Sequence, residues 1–305
     1  MEVGFFFWPY NPGLVENLAD RADRYGYDMI GIADTPGNAM DPWVSAALAA
    51  RVTKKARVAL SVTNIVTRDA AISAAAIASI DQIIEGRAVL GIGAGHSGTK
   101  NLGRSNSTAK ELGEGVTFIK RLLRGEAATL KGATAHLPWV KKPSKVFLAA
   151  SHPLGLAAAG RTADGVFLNF GLGKDNIAQS EAIVAKGISE AGRSAGDVEI
   201  WQIGALDCAL DGDVARDKVG AILAFVAGYV IGDKNLETRG VPEHLREPLL
   251  ELRRRYSTRP GDADIRLVRE LGLFDYLSGR LSICGTPEQC LNQALAAKEA
   301  GAKSR

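Results

Sequence analysis

The chain has 305 residues, 46% of them hydrophobic and 23% charged, which is enough apolar material to bury a large core in one α/β unit. Thirty-seven basic residues against 34 acidic ones leave a scattered net +3, so the composition carries no footprint for nucleic acid or a membrane surface, and the expected partner is a small molecule. Three cysteines, Cys208, Cys284 and Cys290, are odd in number and lack CxxC or Cys/His spacing; this argues against a disulfide framework and a zinc site and points to a reducing, cytoplasmic setting. No basic leader with a long apolar stretch, and no apolar run long enough to span a bilayer, is read in the sequence.

In chain order, short apolar runs alternate with amphipathic stretches, as parallel strands joined by crossover helices require. Residues 3–8, 29–33, 57–62 and 88–92 predict four strands, and helices are expected near 14–25, 42–53, 70–84 and 108–123. The segment 124–144, with Gly125, Gly132, Pro138 and Pro143, breaks the rhythm and predicts a long loop with room for a small hairpin. Strands at 146–150, 165–170 and 198–209 follow, with helices at 153–162 and 174–192 between them. Residues 213–279 read as a helical insertion before the last unit, with Arg253, Arg254 and Arg255 as a solvated helix face. Thr286 and Pro287 then open another helix as N-cap and first helical residue. On that count an eighth strand is expected near Lys303, either truncated there or replaced by closure of another kind.

The strands are rich in Val, Ile, Leu and Phe without polar alternation, as expected when both faces are covered. Seven regular units, with no GxGxxG opening the first helix, favour a (β/α)8 TIM barrel over a doubly wound sheet, with 1–305 as a single barrel domain.

In such a barrel, chemistry belongs at the C-terminal ends of the strands. That rule selects Asp34–Thr35, Ser61 to Asn64, the run from Gly93 to Ser97, Ala150 to His152, and Asn169 to Gly171, and it places His96 and His152 among them. The glycine-rich run 91–98 fits a tight turn as well as it fits a ligand cradle. Ser151, His152 and Pro153 offer either free backbone N–H groups to a phosphate or an ordinary helix cap. Asp34 ends an apolar strand and needs a polar partner, in a loop cap or on a heterocycle. Phe5, Phe7, Trp8 and Tyr10 suggest an apolar pocket at the first strand's mouth. Metal-binding spacings and GxSxG are missing.

Residues 61–98, SVTNIVTRDAAISAAAIASIDQIIEGRAVLGIGAGHSG, resemble the third-to-fourth-strand region of luciferase-like flavin-dependent oxidoreductases. VFLAASHPLGLAAAGRTADGVFLN at 146–169 and GTPEQ at 285–289 are similar to further stretches of that superfamily, so the likeness spans nearly the whole chain. Within it, the branch containing methylenetetrahydromethanopterin reductase and F420-dependent glucose-6-phosphate dehydrogenase is most similar. The resemblance implies coenzyme F420, with FMN as the rival because both carry a tricyclic ring, a ribityl chain and a phosphate. It implies a homo-oligomer and hydride transfer to or from a small organic substrate. The alternatives are an FMN-dependent monooxygenase and a non-catalytic cofactor-binding barrel.

Residue by residue, the resemblance sets Asp34 beside the ring and Ser61–Val62, a cis peptide in relatives, behind it. It sets Thr63, His96 and Ser97 along the ring and side chain. Ala149, Ala150, Ser151 and His152 fall at the phosphate end, with Gly165, Val166 and Asn169 nearby. His96 and His152 are the candidate proton donors or acceptors. Two departures narrow the substrate: Thr35 stands where alcohol-oxidising relatives carry a histidine, and Phe6 where the methanopterin reductases carry a glutamate.

Overall fold

The computed structural model describes residues 1–231, 236–257 and 266–302. Strands β1 (Gly4–Phe7), β2 (Met29–Ile32), β3 (Arg57–Thr63) and β4 (Ala88–Ile92) are joined by helices over Pro12–Tyr25, Pro42–Val52 and Ala70–Ile84. Between β4 and the next long strand comes a hairpin of β5 (Ala128–Leu130) and β6 (Ala133–Ala135). Its two turn residues, Lys131 and Gly132, both have positive φ, the conformation that matches the twist of a two-residue hairpin. Strands β7 (Lys145–Ala150), β8 (Gly165–Leu168) and β9 (Glu199–Gln202) complete a seven-stranded parallel ladder in the order β1-β2-β3-β4-β7-β8-β9.

The seventh strand position is split. Past Gly204 it continues as β10 (Ala205–Cys208), which leaves the main ladder and pairs in parallel with β11 (Ser282–Gly285). A Cβ on Gly204 would sit 2.5 Å from the Leu172 side chain, so the break falls where the backbone must pass close to the preceding loop. The strand expected near Lys303 falls outside the described residues. The parallel strand that follows β10 is instead β11, ahead of the helix Pro287–Glu299, and it was hidden by its length of four residues and by the helix Phe274–Leu281 that runs straight into it. Among the described residues no ladder joins β11 to β1.

Strand residues alternate between two apolar layers, because successive side chains point to opposite faces. Met29, Ala59, Val89, Phe147, Phe167 and Trp201 fill the inside of the curved ladder. Ile30, Ile32, Leu60, Leu90, Leu148 and Leu168 face outward against the surrounding helices. The same parity revises the first strand. Phe5 and Phe7 belong to the outer layer, with Phe5 edge-on to Tyr27 at 5.0 Å, and Tyr10 is 61% exposed. Phe6 and Trp8 are the aromatics that face inward.

The helical insertion, with helices Gly212–Val230, Glu243–Arg255, Leu267–Glu270 and Phe274–Leu281, builds its own apolar cluster around Leu223, Leu249, Leu252 and Leu277, joined by Cys284 of β11. Of the arginine cluster, expected as a solvated face, Arg254 and Arg255 are exposed and pair with Glu251 at 2.8 Å and Glu270 at 3.3 Å, whereas Arg253 is half-buried and donates to the Gly228 carbonyl at 3.3 Å. Among the described residues, no helix is long and apolar enough to cross a membrane.

The ladder is interrupted at one more point. Pairing between β3 and β4 shifts register between Leu60 and Thr63, and the Ser61–Val62 peptide is cis. This bulge drives side chains into both neighbouring strands, and both answer with glycine. A Cβ on Gly31 would lie 2.8 Å from Ser61 Cβ, and Cβ atoms on Gly91 and Gly93 would each lie 2.8 Å from a Val62 methyl. Gly91→Ala is therefore expected to destabilise the fold by roughly 1–3 kcal/mol through overpacking. Thermal unfolding of the variant measures this, and an unchanged midpoint would show that the bulge yields without cost.

Candidate functional site

The carboxyl ends of the strands open into one cavity of about 720 Å³. Its floor is the β3 bulge, Ser61 to Asn64, with Gly93 and Ala149 beside it. Phe6, Trp8 and Ile203 enter from the edges of the ladder, and Phe225, Thr238 and Arg239 come from the insertion.

At one end the loops after β2, β3 and β4 are tied together. Thr63 Oγ1 donates to Asp34 Oδ2 at 2.6 Å, and the Thr35 and Ser97 hydroxyls lie 3.3 Å apart. Asn101 Nδ2 donates to the Pro36 carbonyl at 3.2 Å, fastening the β2 loop to the turn after β4. Asn64 Oδ1 accepts from the amides of Val66 and Thr67 and so shapes the turn that follows the bulge. Burial raises the Asp34 carboxyl above its ordinary value; the Thr63 hydroxyl and the nearby Arg68 oppose that rise and Asp41 adds to it.

His96 opens the short helix His96–Lys100 after Gly95, whose φ of 95° suits glycine. It shares a 3.0 Å hydrogen bond with Tyr256 Oη, the two ring planes lying nearly parallel at 13°, and Phe225 meets it edge-on. Burial, assisted by the positive charges of Lys100 and Arg253, brings the imidazole down to about 4, so it is neutral at physiological pH.

At the other end the helix Pro153–Thr162 begins at the cavity, with His152 as N-cap but no side-chain capping bond. Instead His152 Nδ1 contacts the Arg239 guanidinium, which also donates to the Ser151 carbonyl at 2.9 Å. An ordinary side-chain cap is thus absent at this helix, and its first amides are left toward the cavity.

The family model described as luciferase-like monooxygenase matches residues 10–304. The chain belongs to this family. A 5,10-methylenetetrahydromethanopterin reductase of Methanolobus tindarius is 30% identical over 311 residues, covering 95% of this chain and 88% of the relative. Among solved structures, the coenzyme F420-dependent tetrahydromethanopterin reductase of Methanopyrus kandleri superposes with a TM-score of 0.80 at 23% identity, covering 98% of this chain and 90% of that one. An F420-dependent secondary alcohol dehydrogenase in complex with an F420–acetone adduct superposes with a TM-score of 0.74 at 20% identity, with the same coverage. At these identities the two structures show the shared fold, a parallel α/β barrel of the luciferase-like kind.

In this luciferase-like chain the cavity gathers Asp34, Ser61, Val62, Thr63, His96, Ser97, Ala149, Ala150, Ser151, His152 and Asn169 from the sequence-derived set. Gly165 and Val166 are not brought to it. They open β8 at the end away from the mouth, where a Cβ on Gly165 would strike the Phe147 ring and Val166 is buried in the outer layer. Phe225 and Arg239 escaped sequence reasoning because they lie in the insertion, far along the chain from every strand end; the available signal was an arginine in a turn near Gly240.

The neutral His96 has a consequence for stability. As pH falls from 6.5 toward about 4, the unfolded chain takes up a proton that the folded site refuses, so stability present above that window is lost within it. His96→Gln is expected to flatten this part of the acid profile, read as thermal midpoints measured across the same pH range. A slope that the substitution leaves unchanged assigns the acid sensitivity to other groups.

Proposed function

We propose that this chain is an F420-dependent oxidoreductase that moves a hydride between the deazaflavin and a small organic substrate. The observation that carries the reading is the cavity itself: a bulged backbone floor at Ser61–Val62, polar groups at the Asp34 end, and basic, helix-terminal groups at the Ser151 end. Kinship with the F420-dependent glucose-6-phosphate dehydrogenase of Kineococcus radiotolerans, 28% identical over 218 residues, supports the same cofactor.

The described residues fit such a group. Gly93 lines the floor beside Val62, whose methyl occupies the room that a side chain there would take, and a buried guanidinium at Arg239 meets the cavity where an anionic tail would end. Asp34, Thr63 and Ser97 would hold the polar edge of the ring, and Ala149, Ala150, Ser151 and His152 the phosphate end. When bound, the deazaflavin supplies a carbon centre that accepts or gives a hydride. The chain's own part is positional: Ser61–Val62 supports one ring face, while Phe6, Trp8, Phe225 and His96 wall the space above it and exclude water. His96 is held by Tyr256, and as a neutral imidazole it can donate or accept a hydrogen bond without carrying charge. His152 is the second proton-handling candidate, oriented by Arg239. Thr35 is 4% exposed and spans to Ser97, so the position where alcohol-oxidising relatives carry a histidine is here a packed tie between loops. A cytoplasmic homo-oligomer belongs to the same reading, supported by the three unpaired cysteines and by family likeness.

Fluorescence titration with F420 and, separately, FMN tests the assignment. F420 is expected to bind tightly and FMN weakly; tight binding of FMN alone, with oxygen consumed when the flavin is reduced, would replace the reading with a monooxygenase. Cofactor binding without hydride exchange across a substrate panel would leave a non-catalytic barrel. Asp34→Ala is expected to weaken F420 binding by roughly tenfold, the loss of one charge-assisted contact, while the thermal midpoint stays close to wild type. Unchanged affinity would remove Asp34 from the site.

A further inference from the structure

Two arginines lie buried side by side at the Ser151 end of the cavity. Arg239 is 4% exposed and Arg280 is 5% exposed. Their guanidinium carbons each stand 5.7 Å from the centre of the Phe170 ring. Arg280 Nη1 donates to the Arg239 carbonyl at 2.8 Å, and its other nitrogens reach the Phe170 carbonyl. Arg239 in turn reaches the Val230 and Ser151 carbonyls and His152 Nδ1.

Every one of these acceptors is neutral. Among the described residues, no carboxylate lies within ion-pair distance of either guanidinium. Two adjacent positive charges withdrawn from water without a counter-ion are costly, and proteins pair buried charge. Of the two, Arg239 lines the cavity, beside the uncapped start of the helix Pro153–Thr162. Burial and the neighbouring charges of Arg280 and Arg253 pull its guanidinium down to about 10, which still leaves it fully protonated at physiological pH.

We propose that Arg239 is the counter-charge for a phosphate group bound at the Ser151–Gly155 end of the cavity, and that Arg280 positions it through Phe170 and the Arg239 carbonyl. The residue comes from the insertion, so the insertion completes the anion site that the barrel loops begin. This rests on the F420 reading for the identity of the phosphate, though not for its charge.

The test compares F420 with the corresponding deazaflavin that ends at its ribityl chain and lacks the phosphate. Wild type should prefer F420, and that preference should fall with rising salt. Arg239→Gln should weaken F420 by roughly 10- to 100-fold, the range for a lost charge-assisted contact, while leaving the phosphate-free ring unchanged; Arg239→Lys should recover part of the preference. Inorganic phosphate alone should raise the thermal midpoint of the cofactor-free wild type but not of Arg239→Gln. Equal weakening of both ligands, or of neither, overturns the proposal, as does equal stabilisation of wild type and variant by phosphate. If wild type binds neither deazaflavin yet phosphate still stabilises it through Arg239, the cofactor reading fails and the anion site stands. Phosphate that stabilises the protein without competing with F420 would overturn the assignment of this site to the cofactor.

Discussion

The structure depends on close approach of backbone to backbone around the third strand. The register of β3 against β4 shifts between Leu60 and Thr63, and the neighbouring backbone makes room for Ser61 and Val62 through the missing side chains of Gly31, Gly91 and Gly93. The residues of the bulge, Ser61, Val62 and Thr63, also line the cavity. Steric exclusion in the ladder and an accessible floor in the site are the same fact seen from two sides.

Charge is distributed along the cavity in a way that composition alone conceals. A net charge of +3 over the chain says little, yet within the cleft a carboxyl of raised pKa sits at one end and a buried guanidinium, without a carboxylate partner among the described residues, at the other, with a neutral imidazole on the wall between. Such a separation of charge suits an elongated ligand with unlike ends. Aromatic surfaces from Trp8 and Phe225, edge-on at 6.2 Å, bound the same space without adding charge.

Much of this arrangement was legible in the sequence, and the physical reason is burial on both faces. A strand covered by helices outside and packed within reads as an unbroken apolar run, which is why 88–92 is β4 to the residue and the boundaries of the other main-ladder strands, β9 apart, shift by only a residue or two. The stretches that carried the family resemblance do structural work: Asp81 Oδ1 accepts from the Ala88 amide at 2.7 Å, and Gly86 takes a φ of 91° at the turn into β4. Legibility failed where periodicity gave no signal. Four residues of β11, two of them Ser282 and Cys284, are too few and too polar to announce a strand, and Gly204 splits what reads as one long strand at 198–209. Counting aromatics in β1 without their parity put Phe5 and Phe7 in the pocket in place of Phe6, and Arg239 had no local pattern at all.

The split seventh strand has a further meaning for how the helical excursion is anchored. β10 leaves for the helical excursion and β11 returns from it, and the two are hydrogen-bonded neighbours, so some seventy residues depart and re-enter through a gap about one inter-strand spacing, ~4.8 Å, wide. The excursion is tied back to the strand-end loops by Arg239 on Ser151, Arg280 on Phe170 and Tyr256 on His96. The excursion also furnishes Phe225, Thr238 and Arg239 to the cleft, so a segment anchored at two adjacent strands reaches back over the mouth of the ladder.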